Sequence, residues 1–236
     1  MSFNRKKLVS NFVVLGIVFA FCMAVKNQHD ARKKNARITL YYSKGSSSLA
    51  DRIIINELGI DATYVSVDLK TKKTENGEDY FNINKLGYVP ALKLNNGAIL
   101  TENIAIIQYL AEQYGDGKMI GGGFERYRVM EKMSFIASEL HKTFGALFKQ
   151  TDAKEKAKTM QDLKPKLEYV DKVLGENKFI AGNYFSIADA YASVILNFAN
   201  FVNVDLKPYK NITAYMKEIG SREAVVKSLR QEGLIK

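Results

Sequence analysis

Apolar positions follow two different periods along this chain. Between residues 38 and 114 they come in short runs separated by turn residues. Ile38-Thr39-Leu40-Tyr41-Tyr42 reads as a strand, and Tyr64-Val65-Ser66-Val67-Asp68 alternates as a second. Between them, Gly45 and Ser46-Ser47-Ser48 form a turn. Ser48 and Asp51 have capping-box spacing before a helix over 49–58, which Gly59 ends. A polar, lysine-rich loop follows from Lys70 to Glu78. Val89-Pro90 then enters a strand-like run, Ala91–Leu94. Asn96-Gly97 predicts a two-residue hairpin turn, Ala98-Ile99-Leu100 returns antiparallel, and Thr101-Glu102-Asn103 is a polar corner opening a helix to Tyr114. Two strands joined through a helix should pair parallel; the hairpin must pair antiparallel.

After Gly115 the period changes. Residues 115–124 are glycine-rich and mark a boundary. Residues 127–148, 160–174, 187–201 and 212–219 carry apolar side chains at helical spacing. Ser186 and Asp189 form a second capping box. The expected class is α/β plus all-α. The expected segments are a hydrophobic leader and basic linker (1–37), a mixed α/β domain (38–115), a linker (116–124) and a helical domain (125–236).

Charge changes the picture only once it is located. The 236-residue chain has a net charge of +10, yet residues 1–37 hold eight Lys or Arg and a single acid, Asp30. The remaining 199 residues carry 27 basic and 24 acidic side chains, so the body lacks the basic face of a nucleic-acid-binding protein. One cysteine, Cys22, and two histidines, His29 and His141, leave the body without a disulfide, a cysteine nucleophile or a multi-ligand zinc site. Gly121-Gly122-Gly123 lacks the Lys and Ser/Thr of a phosphate loop. The apolar run from Leu8 to Val25 follows Arg5-Lys6-Lys7. It reads as a short membrane anchor, a cleaved signal, or an extension preceding a start at Met23. The positive charges after it favour a cytoplasmic body, with periplasmic export as the alternative.

These motifs, in this order, resemble the glutathione transferases, most closely the bacterial beta class. The resemblance runs through Tyr42 to Ala50, 65–69, 75–81, Gly87–Pro90, Leu100-Thr101-Glu102, 106–111, 136–142 and 185–191, and covers about 199 residues. It implies a thioredoxin-like N-terminal domain, a helical C-terminal domain, a homodimer and glutathione as cosubstrate, with no metal. Pro90 matches the family's cis-proline. Val89 would pair its backbone with glutathione, Glu102 and Asn103 would hold the γ-glutamyl end, and Lys72 the glycyl end. His141 and Lys142 match a pair that approaches the sulfur from the helical domain.

The chain departs from the class at three positions. Ser47 stands where the class has cysteine, Asn103 where the family has Ser or Gly, and Ser134 where the class has Asn. A serine cannot form a mixed disulfide, but its hydroxyl can donate to a thiolate. Ser47 is therefore the expected thiol activator, with Ser46, Ser48, Tyr41 and Tyr42 as rivals and helix capping as its bland alternative. The expected function is conjugation of glutathione to apolar electrophiles. The alternatives are a glutathione-dependent peroxidase or dehalogenase, and a binding module of the same fold without turnover.

Overall fold

A computed structural model describes residues 5–236, with side chains from Val18 onward apart from those of residues 20 and 29. Helix α1 (Arg5–Lys34) precedes β1 (Ile38–Tyr42), α2 (Leu49–Leu58), β2 (Ala62–Asp68) and β3 (Lys73–Thr74). A 3-10 turn (Tyr80–Asn82), the hairpin β4 (Ala91–Lys93) and β5 (Ile99–Thr101), and α3 (Asn103–Tyr114) complete the first half. The sheet order is β3-β2-β1-β4-β5. β1 and β2 are parallel, with Ile38 opposite Ala62; β4 is antiparallel to both β1 and β5, with Leu92 opposite Leu40 and Leu100.

Strand alternation sorts the core. Ile38 and Leu40 face α2 and α3 in the main core, while Tyr41 joins Val67, Tyr80 and Ala91 on the other face of the sheet. The helical half contains α4 (Phe124–Phe135), a π-helical segment (Ile136–His141), α5 (Lys142–Lys149), α6 (Ala153–Glu176), α7 (Ile187–Asn197), α8 (Ala199–Val202), α9 (Lys210–Gly220) and α10 (Glu223–Gln231). Helix α7 is buried from Ile187 to Leu196, as expected of a helix that is apolar all round. It packs against α2 and α4, so one apolar core runs through both halves.

Four local expectations need correction. The lysine-rich loop contains the short edge strand β3, paired antiparallel with β2. The hairpin does not turn on Asn96-Gly97 alone: Gly97 N–H donates to Leu94 O (2.9 Å) and Leu94 N–H to Ala98 O (2.8 Å). Only Gly97 (φ +84°) is left-handed there, so Asn95 and Asn96 occupy the bend and glycine closes it. Ser48 and Asp51 form no capping box. Ser48 already has helical backbone (φ −60°, ψ −16°), which takes its hydroxyl away from the first-turn amides. The helix read over 127–148 is interrupted by the π segment. In contrast, Ser186 and Asp189 do form their reciprocal box. The apolar run 8–25, read as an anchor or signal, lies mostly outside the residues whose side chains are described. Among the described residues, no helix is long and apolar enough to cross a membrane.

Candidate functional site

The turn between β1 and α2 is built so that one serine hydroxyl is left over. Leu49 N–H donates to Ser46 O and Ala50 N–H to Ser47 O, both at 3.1 Å, so the helical track begins inside the serine run. Ser46 Oγ and Ser48 Oγ bond each other at 2.7 Å, and Ser48 also bonds Ser43. Among the described residues, the Ser47 hydroxyl has no protein partner, although Ser47 is only 6% exposed. It sits at the N-terminal end of α2, where the helix dipole favours negative charge. Two outside groups fix this turn. Asn103 Nδ2 donates to Ser47 O at 2.8 Å, and Gly45 N–H donates to the Glu232 carboxylate at 2.8 Å. Glu232 in turn pairs with Arg52 at 3.0 Å, both buried, and the Arg52 guanidinium stacks on Tyr42 and Tyr64. Tyr42 is thereby engaged with Arg52, and Tyr41 lies against Tyr80, so neither first-strand tyrosine lines the cleft.

A second segment presents backbone. The Val89–Pro90 peptide is cis. The loop leading to it is fixed through Tyr88 O, which accepts from Tyr80 OH (2.9 Å) and Asn84 Nδ2 (2.8 Å). Glu102 holds a left-handed φ of +71° immediately before α3, a conformation unusual for a residue with a Cβ. Asn103 opens α3, and its amide reaches Ser47 O and Asp51 Oδ2. Lys72 folds over the mouth, where its ammonium donates to Gly87 O at 2.9 Å. Burial pushes the Asp51 carboxyl well above the usual aspartate range, reinforced by the charge of Glu232.

The opposite wall is helical. His141 is the last residue of the π segment, and its Nδ1 lies 2.7 Å from the hydroxyl of Tyr191 on α7. Burial lowers the His141 pKa, so the ring is neutral at pH 7 and shares one hydrogen with the tyrosine. Burial also raises the Tyr191 hydroxyl, with Asp51 and Glu102 adding to the effect. At the end of the π segment the Glu139 carbonyl accepts from the Lys142 backbone N–H and from Thr143 Oγ1 at 2.6 Å, and Lys166 on α6 pairs with Thr143 and with the Glu139 carboxylate, both at 2.8 Å.

Between these walls lies a cleft of about 1160 Å³. Ser47, Lys72, Val89, Pro90, Glu102, Asn103, His141 and Lys142 all line it, so every site residue expected from the sequence is brought together there. Ser134 is exposed on α4 and does not line it. The cleft has two characters. Lys44, Lys72, Lys142 and Lys149 line it against the single acid Glu102. Phe148, Phe198, Phe201 and Leu234 give it an apolar side. The sequence did not disclose Tyr191, Asp51, Arg52 or Glu232 as parts of this arrangement. Tyr191 follows the Ser186 box, so helical spacing could have placed it, but no local pattern ties it to a histidine fifty residues away.

Comparison with known proteins gives one answer. The family model described as Glutathione S-transferase, C-terminal domain matches residues 133–223, and that described as Glutathione S-transferase, N-terminal domain matches residues 50–113. Glutathione S-transferase GstA of Escherichia coli O157:H7 is 41% identical over 198 residues, covering 83% of this chain and 98% of that protein. The structure of a sphingomonad glutathione S-transferase complexed with glutathione is 40% identical, with a TM-score of 0.80 over 84% of this chain and all of that one. The bacterial beta class enzyme of Sphingomonas chungbukensis is 39% identical, with the same TM-score and coverage.

Proposed function

The chain belongs to the glutathione S-transferase family, and we propose that its cleft ionises the thiol of glutathione at Ser47 and directs the thiolate at an apolar electrophile held by the helical wall. It is a glutathione transferase, with glutathione as cosubstrate. The observation that carries the choice of Ser47 is the hydrogen-bond pattern of the serine run, which occupies the hydroxyls of Ser46 and Ser48 and leaves that of Ser47 free in the cleft.

The chemistry follows from acidity. A cysteinyl thiol has a pKa of about 8.5, so little of it is thiolate at pH 7. Lowering it by about two units needs roughly 2.7 kcal/mol of selective stabilisation of the anion. One hydroxyl donor and the end of α2 are together of that size. The sulfur then forms a bond to the electrophilic carbon, and the electron pair leaves with the displaced group or moves onto an activated double bond. Thiol–disulfide exchange through the protein is not open to this site, because Ser47 has no sulfur.

Each part of glutathione meets fitting chemistry. The tripeptide is net negative at neutral pH, and the lysines around the cleft supply the opposite charge. The cysteinyl backbone would pair with Val89 as an added strand. The γ-glutamyl end would lie at Glu102 and the α3 N-terminus, and the glycyl carboxylate near Lys72. Lys142 and neutral His141 would face the sulfur, His141 oriented by Tyr191. The reading includes a homodimer. Phe124 and Tyr127, stacked in solvent at the start of α4, provide apolar surface for such a contact.

The test is a pair of measurements on the full chain. Glutathione should raise the melting temperature, and the ultraviolet absorbance of bound thiolate should appear near neutral pH. A rise in melting temperature without thiolate makes the protein a binding module, and the absence of both removes glutathione from the cleft. Light scattering reads the dimer, and a monomeric mass at micromolar concentration would exclude it.

A further inference from the structure

Two buried oxygens beside the cleft have no hydrogen-bond partner, and they belong to the two partners of a single contact. Asn103 Nδ2 lies 3.1 Å from Asp51 Oδ2, while Asp51 Oδ1 and Asn103 Oδ1 are both unpaired. Asp51 is fully buried and Asn103 is 8% exposed. The orientation of the amide is not free. Ser47 O can only accept, so the nitrogen of Asn103 must face it, and Oδ1 takes the other side. As long as Asp51 is ionised, both unpaired atoms are acceptors and neither can satisfy the other. One proton on Asp51 turns one of them into a donor.

We propose that Asp51 stands in the folded protein as a neutral carboxylic acid, that it closes a two-bond pair with the Asn103 carboxamide, and that this pair positions Ser47. The acid O–H donates to Asn103 Oδ1 and the amide N–H to Asp51 Oδ2. The second amide hydrogen holds the carbonyl of Ser47. Among the described residues no cation pairs with the carboxyl: Arg52 Nε bonds Glu232 and its guanidinium lies over the rings of Tyr42 and Tyr64, while its Nη2 is bonded to neither Asp51 nor any other group. A buried carboxylate without a counter-ion takes up a proton rather than remain charged. Burial is the largest influence on the Asp51 carboxyl; its own backbone N–H opposes protonation, the charge of Glu232 beyond α10 favours it, and Tyr191 on α7 is a neutral hydroxyl.

The pair also explains the departure at position 103. A serine or glycine there could not span from Ser47 to α2, whereas asparagine links the catalytic turn, α2 and α3 through one planar group. The Asn103 side chain is thus engaged within the protein, and its backbone N–H at the start of α3 remains for a ligand.

Infrared difference spectra and two substitutions decide the matter. The wild type minus Asp51→Asn spectrum at pH 7 should contain the carbonyl band of a protonated carboxyl. Asp51→Asn, which can make the same two bonds, should melt with the wild type and keep kcat within about twofold, whereas Asp51→Ala and Asn103→Ala should lower kcat about tenfold with the KM for glutathione little changed. In Asp51→Ala the bound thiolate should also titrate at higher pH. Stability supplies a further sign. A carboxyl whose folded-state pKa is raised contributes fully below its unfolded value and loses that contribution as pH rises through the folded one. Asp51→Asn should therefore gain on the wild type with rising pH. A carboxylate spectrum, or an Asp51→Asn protein as damaged as Asp51→Ala, overturns the neutral pair. Unchanged kcat and thiolate titration in Asp51→Ala overturn its role in positioning. The kinetic arm rests on the reading of Ser47 given above; the infrared and melting arms need no glutathione, so failure of that reading is separable.

Discussion

The two walls of the cleft are made of different materials. The wall from the first half offers backbone and turn: the Ser47 corner at the end of α2, the Val89 peptide and the left-handed Glu102. The helical wall offers side chains, His141 locked by Tyr191 and a set of phenylalanines. Backbone geometry suits a partner that never changes, because peptide groups are fixed once the strands and turns form. Side chains on helices suit a partner that varies, because an apolar face tolerates many shapes and discriminates between them by only a few kcal/mol. The division matches a constant cosubstrate on one side and an electrophile on the other.

The comparison breaks most visibly at the foundation of the helical wall. Asp189 accepts from Ser186, Ile180 N–H and Tyr215 OH, all buried. Asp189→Ala should cost about 4 kcal/mol by leaving those donors unpaired, read as a fall in melting temperature. A protein that melts like the wild type would mean α7 is held by packing alone. Next in size is Ser47→Ala. We expect kcat/KM to drop roughly tenfold or more while glutathione still binds. Ser46→Ala and Tyr42→Phe should lack this effect, and the reverse ranking would reassign the donor.

Removing the hydroxyl in Tyr191→Phe tests whether the helical wall contributes orientation as well as surface. A loss near 1 kcal/mol in stability or transition-state binding is expected for one part-buried hydrogen bond. Unaltered kinetics would make His141 a packing residue. Its acidity can be read directly. Since burial lowers the folded-state pKa, the unfolded chain protonates first; the contribution of neutral His141 is complete above about pH 6.5 and is lost as pH falls through the folded value. His141→Gln should flatten that slope, and an unchanged slope would mean the ring is not buried in solution. Smallest is Phe201→Ala on the exposed rim, expected to raise the KM for an apolar electrophile about threefold and leave that for glutathione unchanged. An equal rise in both would erase the division between the walls.

Four of the five strands, the pairings among β1, β2, β4 and β5 expected from them, and the change of period after Gly115 were legible because each rests on neighbours in the chain. The same holds for Gly59, left-handed at the end of α2, and for the Ser186 box. Where the local reading erred, a longer-range contact won. Ser48 and Asp51 have capping-box spacing, but Asp51 turns to Asn103 and Ser48 to Ser46 and Ser43. The π segment left no mark in the spacing of apolar residues, which stays helical across it.

Alternation and turn chemistry were enough to determine the two-part fold, because short-range sterics and hydrophobic burial dictate it; the eight residues expected at the site came from a family's motifs in order, and they line one cleft. Which tyrosine meets the histidine and which carboxylate lies beneath the catalytic turn were decided only by the tertiary structure. Hydrogen-bond partners fifty or more residues apart are chosen by packing, and nothing in the spacing of residues along the chain encodes them.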